Sequence, residues 1–121
     1  MKLKPILPSL KEKKRYLSFE ILSDSSFSVE EVSRTVTDSI LSFLGVLESG
    51  KASVMFLADK YSNNSGVIRA NHKFVDKVRS ALILIKKIDN KDVIFRTRVV
   101  SGTLKRVISK YLAMKKQEVE A

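Results

Sequence analysis

The apolar residues of this chain switch repeatedly between the two-residue period of a β-strand and the 3.6-residue period of an α-helix. In the first such segment, Leu17, Phe19 and Ile21 alternate with more polar side chains, which predicts a half-buried strand. The apolar positions that follow recur at helical spacing, and the same switch is repeated further along. The predicted elements are a strand over 15–22, a helix over 28–45, strands over 52–58 and 67–71, a helix over 74–85, a strand over 93–100 and a last helix that begins near 104.

The first predicted helix carries its own start and stop signals. Ser28 and Glu31 have the spacing of a capping box, and Phe27 and Val32 flank it as a hydrophobic staple. Gly45 follows the last apolar position and is typical of a helix C-cap. We therefore expect this helix to end at Gly45.

The order β-α-β-β-α-β of the first six elements predicts an α+β sandwich of the ferredoxin-like class. In that fold, two right-handed βαβ crossovers are joined by a hairpin, and two helices cover one face of an antiparallel sheet. The final helix is additional, and it could cover part of the open sheet face or bind a partner. Pro5 and Pro8 exclude a helix near the N-terminus. We expect a basic extended arm over residues 1–14, one ferredoxin-like domain over 15–114 and a short, frayed C-terminal tail over 115–121.

The chain is strongly basic. Its 121 residues include 23 Lys and Arg against 13 Asp and Glu, which gives a formal net charge of +10. Residues 1–15 have a net charge of +5 and residues 16–50 a net charge of −5, so we expect the two signs of charge on different faces. A folded basic domain typically binds a polyanion, most often nucleic acid, although basic residues also serve solubility alone.

Several classes of chemistry are excluded by what the sequence lacks. There is no cysteine, which removes disulfides, thiolate metal sites and thiol catalysis and fits a reducing cytoplasm. His72 is the only histidine, and there is no Walker loop, dinucleotide-binding glycine motif or zinc-protease motif. No apolar run is longer than Ala81–Ile85, which is too short to span a bilayer. We expect a cytoplasmic protein with no catalytic residue, metal site or cofactor of its own.

The region around the last predicted strand concentrates features that bind phosphate. Phe95 and Val99 are expected to point inward from this strand, and Arg96 and Arg98 to point outward. The two arginines would be about 7 Å apart, close to the phosphate spacing along a nucleic-acid strand. Ser101-Gly102-Thr103 then precedes a helix, whose free N–H groups and positive dipole end attract an anion. Alternatively, the arginines are only hydrated and one of the hydroxyl residues only caps the helix.

Other basic residues are predicted to lie near this region. Arg69 is expected on the open sheet face beside Tyr16, and the N-terminal arm adds a run of basic residues. The strand over 66–71 lacks the paired aromatic side chains on which RNA bases stack, so we expect recognition of the RNA backbone or shape. The predicted RNA-binding residues are Arg69, Arg96, Arg98, Ser101, Gly102, Thr103, Lys105 and Arg106, with Lys13, Lys14 and Arg15 of the arm.

The predicted helices carry more aliphatic residues than one sheet face requires. Ile83, Leu84 and Ile88 lie beyond the apolar stripe of the second helix, and Val46 and Leu47 follow the first. Such a surplus is typical of a surface that binds another protein. Burial under the last helix would explain it equally well.

Three segments resemble one protein family. They are Lys13-Lys14-Arg15-Tyr16-Leu17-Ser18-Phe19-Glu20-Ile21 after a proline-containing arm, Gly66-Val67-Ile68-Arg69 leading into Val78-Arg79-Ser80-Ala81-Leu82, and the strand that ends in Ser101-Gly102-Thr103. In this order they resemble the archaeal ribonuclease P protein component 2 family over nearly the whole chain. The resemblance implies an RRM-like fold and a non-catalytic, RNA-binding subunit of ribonuclease P, which supports the catalytic RNA in 5′-end maturation of precursor tRNA.

The resemblance also implies partners. These are the ribonuclease P RNA, which would hold magnesium ions, and component 3, a TIM-barrel-like subunit with which a dimer of heterodimers can form. Two other hypotheses stay open: a basic protein–protein scaffold of another ribonucleoprotein, and a small acylphosphatase-like phosphatase. The phosphatase would need a glycine-rich phosphate loop after the first strand, where this chain has the acidic, glycine-free Ser23-Asp24-Ser25-Ser26.

Overall fold

A computed structural model describes residues 13–120 of the chain, except for the side chains of residues 119 and 120. Residues 1–12 of the predicted arm lie outside the described residues, and Lys14 already belongs to the first strand. The elements are β1 (Lys14–Leu22), α1 (Val29–Ala52), β2 (Met55–Phe56), β3 (Ser65–Asn71), α2 (Val75–Ile83), β4 (Lys87–Ile88), β5 (Lys91–Asp92), β6 (Ile94–Ser101) and α3 (Leu104–Glu120).

The main sheet has the strand order β2-β3-β1-β6, and every pairing in it is antiparallel. β1 therefore lies between β3 and β6, with α1 and α2 on one face. This arrangement confirms the predicted ferredoxin-like class. No helix in the described part of the chain is long and apolar enough to cross a membrane.

The core lies between the sheet and the first two helices. Leu17, Phe19 and Ile21 all point from β1 into this layer, as their alternation predicts. They pack against the apolar stripe of α1, which includes Val32 and Val36, and against α2. Ser39 Oγ also donates to the carbonyl oxygen of Ala81 at 2.8 Å, which joins the two helices.

α1 begins as predicted but extends further. The Ser28 side chain accepts a hydrogen bond from the Glu31 backbone N–H at 3.3 Å, and Phe27 and Val32 are buried. Helical geometry breaks at Gly45, where φ is +82° and ψ is 168°, a backbone conformation that favours glycine. A further helical segment then continues to Ala52, so Gly45 marks a kink within α1.

Three other boundaries differ from the predictions. The strand predicted over 52–58 is reduced to the two residues of β2, because α1 takes up the start of that segment. The turn at Asp89 and Asn90 joins β4 and β5 in a small hairpin, and both residues have positive φ. Residues 115–120, predicted as a tail, continue α3.

A β-bulge in β6 changes which residues share a face of the sheet. Ser18 pairs with Val99 and Phe19 pairs with Thr97, so Arg98 is an extra residue. Val99 therefore packs against α3 on the opposite face from Phe95, which lies in the core. The prediction that Phe95 and Val99 share a face was wrong, because strict alternation does not anticipate a bulge. α3 covers this second face through a small apolar cluster centred on Val67, Val99 and Val107.

Candidate nucleic-acid interface

Glu20 is the centre of an ion-pair cluster between the sheet and α3, here called the Glu20 cluster. Only 5% of its side chain is exposed. Arg96 Nε donates to Glu20 Oε1 at 2.9 Å, and Arg98 Nη1 lies 3.4 Å from the same oxygen. From α3, the Tyr111 hydroxyl donates to Oε2 at 3.0 Å, and Lys115 Nζ donates to it at 3.3 Å. Three cations and one hydroxyl therefore converge on a single buried carboxylate.

These contacts keep Glu20 ionised. Burial by itself would raise the pKa of the Glu20 carboxyl. Hydrogen bonds from Arg96 and Tyr111, together with the charge of Lys115, outweigh burial, so this pKa lies below its ordinary value. Burial raises the pKa of the Tyr111 hydroxyl, which also shares a 2.8 Å hydrogen bond with the Ser65 hydroxyl. The Glu20 cluster is thus charged at neutral pH and joins α3 to β1 and β3.

The two arginines of β6 occupy different environments. Arg96 pairs with Glu20 but leaves 44% of its side chain exposed. Arg98 is only 9% exposed and forms ion pairs with both Glu20 and Glu118 of α3. Arg98 therefore lies on the sheet face away from α1 and α2, as predicted, but α3 covers this part of the face and leaves little of the side chain exposed.

A second group of basic residues surrounds the N-terminal end of α3, and we call Arg15, Lys105 and Arg106 the α3 basic area. The Thr103 side chain accepts a hydrogen bond from the Arg106 backbone N–H at 3.3 Å, so Thr103 caps the helix. Gly102 is exposed, and a guanidinium nitrogen of Arg15 lies 3.6 Å from the position that a Cβ would take there. Lys105 and Arg106 are exposed. Among the described residues, none of the three cations forms a salt bridge.

The remaining predicted RNA-binding residues lie near the same end of β1. Lys13 is exposed, and Lys14 opens the strand. Ser101 is buried at the end of β6 and pairs with Tyr16 across the sheet. Arg69 pairs with Tyr16 on the other side, is half-buried, and donates to a methionine sulfur of β2 at 3.4 Å. The single surface of arginines expected from the sequence is therefore divided into two groups at opposite ends of β1.

Sequence reasoning missed three members of the Glu20 cluster: Glu20, Tyr111 and Lys115. The strand order of the predicted fold places β1 beside the last strand, and Glu20 is directly opposite Arg96 there. The Glu20–Arg96 pair could therefore have been found from the predicted register. Tyr111 and Lys115 could not be found in this way, because no pattern in the sequence fixes where α3 packs on the sheet.

The surplus aliphatic residues lie mainly on the side of the sheet away from α3. Val46 and Leu47, which follow the kink in α1, are 83% and 73% exposed, and Ile83 and Leu84 at the end of α2 are 57% and 58% exposed. Ile88, by contrast, is buried in the core. Burial under the last helix therefore does not account for the first four residues.

The loop between β1 and α1 is bound to the loop that precedes β3. The Asn64 side chain accepts from the Phe27 backbone N–H at 3.0 Å and donates to the Ser25 carbonyl oxygen at 2.7 Å. The Tyr61 hydroxyl donates to the Phe27 carbonyl oxygen at 2.8 Å. The Asn64 contact occupies the Phe27 N–H, a backbone donor of the kind that a phosphate-binding loop would offer to substrate. Among the described residues, no three His, Asp or Glu side chains are placed to hold a metal ion.

Comparison with known proteins identifies a family that matches most of the chain. The model of the Rpp14/Pop5 family matches residues 15–112. The chain belongs to the Rpp14/Pop5 family. The match begins at Arg15 in β1 and ends within α3, so it includes the α3 basic area, whereas Lys115 of the Glu20 cluster lies beyond it.

Several curated relatives of this Rpp14/Pop5 chain are named ribonuclease P protein component 2. The one from Thermococcus gammatolerans is 40% identical over 106 residues, which cover 88% of each chain. The one from Pyrococcus horikoshii is 40% identical over 114 residues and 93% of each chain. The one from Methanosarcina mazei is 34% identical over 91% of this chain and 93% of its own.

The fold is also similar to a chain in a solved assembly. In the cryo-EM structure of yeast ribonuclease MRP, one chain aligns with a TM-score of 0.63 over 91% of this chain and 96% of its own. The sequence identity is 13%, so this likeness concerns the Rpp14/Pop5 fold alone.

Proposed function

We propose that this Rpp14/Pop5 chain is a protein subunit of cytoplasmic ribonuclease P, that it binds the RNA of that enzyme, and that it breaks no bond itself. Relatives that share up to 40% of its residues and most of its length carry the name ribonuclease P protein component 2. The observation that carries RNA binding is the α3 basic area. Arg15, Lys105 and Arg106 lie around the start of α3 without a carboxylate partner among the described residues.

The physical role of these cations is to neutralise phosphates where the RNA is densely folded. Lys and Arg that approach phosphates release condensed counterions, which favours the compact RNA and makes binding salt-dependent. The helix start beside them adds the positive end of the α3 dipole. In this proposal the catalytic groups and the magnesium ions belong to the RNA, and the protein raises the population of the active RNA conformation.

A protein partner is proposed for the opposite side of the molecule. Val46, Leu47, Ile83 and Leu84 are exposed there, and aliphatic residues of this kind are typical of protein interfaces. We propose component 3 of ribonuclease P, a TIM-barrel-like subunit, as the partner, in an assembly that includes a dimer of heterodimers. The RNA and the protein partner would then bind opposite faces of the sheet.

The other two hypotheses are less well supported. A scaffold of a different ribonucleoprotein is not favoured, because the curated relatives share one name. A phosphatase on this fold is not favoured, because the loop between β1 and α1 lacks glycine and is bound to Asn64 and Tyr61.

Charge removal in the α3 basic area tests RNA binding. The double variant Lys105→Ala plus Arg106→Ala removes two exposed cations and no salt bridge to a described residue. We expect weaker filter binding of ribonuclease P RNA, and a dependence of log affinity on log salt that is shallower by about 1 to 2. The matched control is Lys51→Ala plus Arg79→Ala, which removes two exposed cations on α1 and α2. Equal losses in the two double variants would show that only the net charge matters and would contradict the assignment of this surface.

Reconstitution tests the wider function. Cleavage of precursor tRNA by the RNA alone should be compared with cleavage by the RNA plus this chain and component 3, at low magnesium concentration. We expect cleavage only, or mainly, with the proteins present, because they neutralise charge that magnesium otherwise neutralises. Equal cleavage with and without this chain would refute the proposed subunit role.

A further inference from the structure

We propose that Glu20 is a positioning residue for RNA binding, because it holds Arg96 and Lys115 side by side as a site for one backbone phosphate. The inference rests on the proposed function and adds a second contact region, at the opposite end of β1 from the α3 basic area. It also assigns a role in binding RNA to a negatively charged residue.

The first argument is the balance of charge in the Glu20 cluster. Arg98 has a second carboxylate partner, Glu118, and is almost completely covered. Arg96 and Lys115 have only Glu20 among the described residues, and they bind its two different oxygens. Two cations that share one carboxylate leave an excess of one positive charge at this point of the surface.

The second argument is the order of burial. The Glu20 side chain is 5% exposed, whereas Arg96 and Lys115 are 44% and 46% exposed. The carboxylate therefore lies beneath the two cations, and an approaching phosphate meets the cations first. A guanidinium has five N–H donors and an ammonium has three, so both groups keep unused donors after binding Glu20. A phosphate could accept from these donors without displacing Glu20.

The third argument is conformational. Long Lys and Arg side chains lose rotamer freedom when they bind, which costs affinity. Hydrogen bonds to a rigid carboxylate within the central strand remove much of that freedom before the RNA arrives. Lys116, the next residue on α3, is exposed and has no salt bridge to the side chains described over residues 13–118, so it lacks this advantage.

Glu20→Gln separates positioning from simple repulsion by the sign of its effect. The variant raises the net charge by one, so if Glu20 only repelled phosphate, the RNA would bind more tightly. If Glu20 positions Arg96 and Lys115, the RNA binds about three- to tenfold more weakly and the salt dependence becomes shallower by about 1. Filter binding to the ribonuclease P RNA, with the wild-type chain and Glu20→Gln side by side, measures both quantities.

Two adjacent lysines supply a matched pair that does not depend on the stability of the Glu20 variant. Lys115→Gln and Lys116→Gln each remove one exposed charge from α3. We expect Lys115→Gln to weaken binding about three- to tenfold and Lys116→Gln to have a smaller effect. In the Glu20→Gln background, Lys115→Gln should lose most of its effect, because the cation is no longer held in place. Equal effects of the two lysine variants would overturn the proposal.

A neutral variant of α3 identifies a purely structural effect. Val107 is a fully buried residue of α3 that packs against the sheet, and Val107→Ala removes apolar contacts there without changing charge. We expect the Val107→Ala variant, below its unfolding temperature, to bind the RNA with the same affinity and the same salt dependence as the wild-type chain. If Val107→Ala weakens binding as much as Glu20→Gln, a general loosening of α3 accounts for the loss, and positioning by Glu20 is refuted. If the wild-type chain does not bind the RNA, the proposed function fails as well; if it binds and Glu20→Gln binds equally well or more tightly, only this inference fails.

Discussion

Replacing Glu20 by Gln should lower the free energy of unfolding at neutral pH. The size of this loss should change with pH. The Glu20 carboxylate is buried and accepts hydrogen bonds from Arg96, Tyr111 and Lys115. Gln keeps one acceptor oxygen but removes the charge. Arg98, which is 9% exposed, would then have only Glu118 as a counterion.

The magnitude follows from the exposure of the partners. Removing one member of a fully buried ion pair costs about 3–5 kcal/mol, because the other charge stays buried without a partner. Arg96 and Lys115 are nearly half exposed and can be rehydrated, so most of the cost comes from Arg98. We therefore expect Glu20→Gln to lower the free energy of unfolding by about 2–3 kcal/mol at pH 7.

The pH dependence has a defined sign. The pKa of Glu20 in the folded protein lies below its ordinary value of 4.5, so the unfolded chain takes up this proton first as the pH falls. The stabilisation by ionised Glu20 is fully present above the unfolded pKa and is lost as the pH falls through the folded pKa. The difference between the wild type and Glu20→Gln should therefore be largest near neutral pH and should shrink in acid.

Urea unfolding followed by circular dichroism at about pH 7 and about pH 3.5 measures this difference. Glu48→Gln is the control, because Glu48 is 39% exposed and forms a surface pair with Lys77. Its effect should stay within about 1 kcal/mol. A Glu20→Gln variant as stable as the wild type at neutral pH, or a loss of stability that is the same at both pH values, would refute the reasoning.

Two further substitutions test the packing around the sheet and the start of α3. Gly66→Ala should lower the free energy of unfolding by about 1–3 kcal/mol, because its Cβ would lie 2.9 Å from the Phe19 ring and 3.2 Å from the Tyr61 ring. Urea unfolding measures this cost, and unchanged stability would contradict the described packing. Thr103→Ala should cost about 1 kcal/mol in the same assay through loss of the hydrogen bond to the Arg106 N–H, whereas Thr103→Ser should cost less. An equal loss in both variants would contradict the capping role.

The fold could be predicted because each main element has a local signal. The alternation of Leu17, Phe19 and Ile21 follows from the pleat of a strand, and Ser28 with Glu31 satisfies free N–H groups at a helix start. The length of β2 and the bulge at Arg98 have no comparable signal. Both depend on how neighbouring elements meet, which a period in the sequence does not describe.

The candidate site could be predicted only in part. Lys105 and Arg106 are exposed as expected, since they follow a capped helix start on the outer side of α3. Alternation predicts Arg98 on an open surface, whereas α3 covers it in the fold. Whether an arginine is free to bind RNA depends on the carboxylates that reach it, and most of those come from distant parts of the chain.

The sequence alone therefore determined the order of the main elements, the buried face of most of them, the excess of positive charge and the resemblance to a family. Each of these depends on composition or on residues that are near neighbours in the chain. Only the tertiary structure decided which cations stay free and which are paired. Glu20 and Lys115 are 95 residues apart in sequence and 3.3 Å apart in the fold, and that contact exists only because α3 docks on the sheet. Coulomb interactions act through space, so the fold decides which of the charges that sum to +10 lie beside an opposite charge.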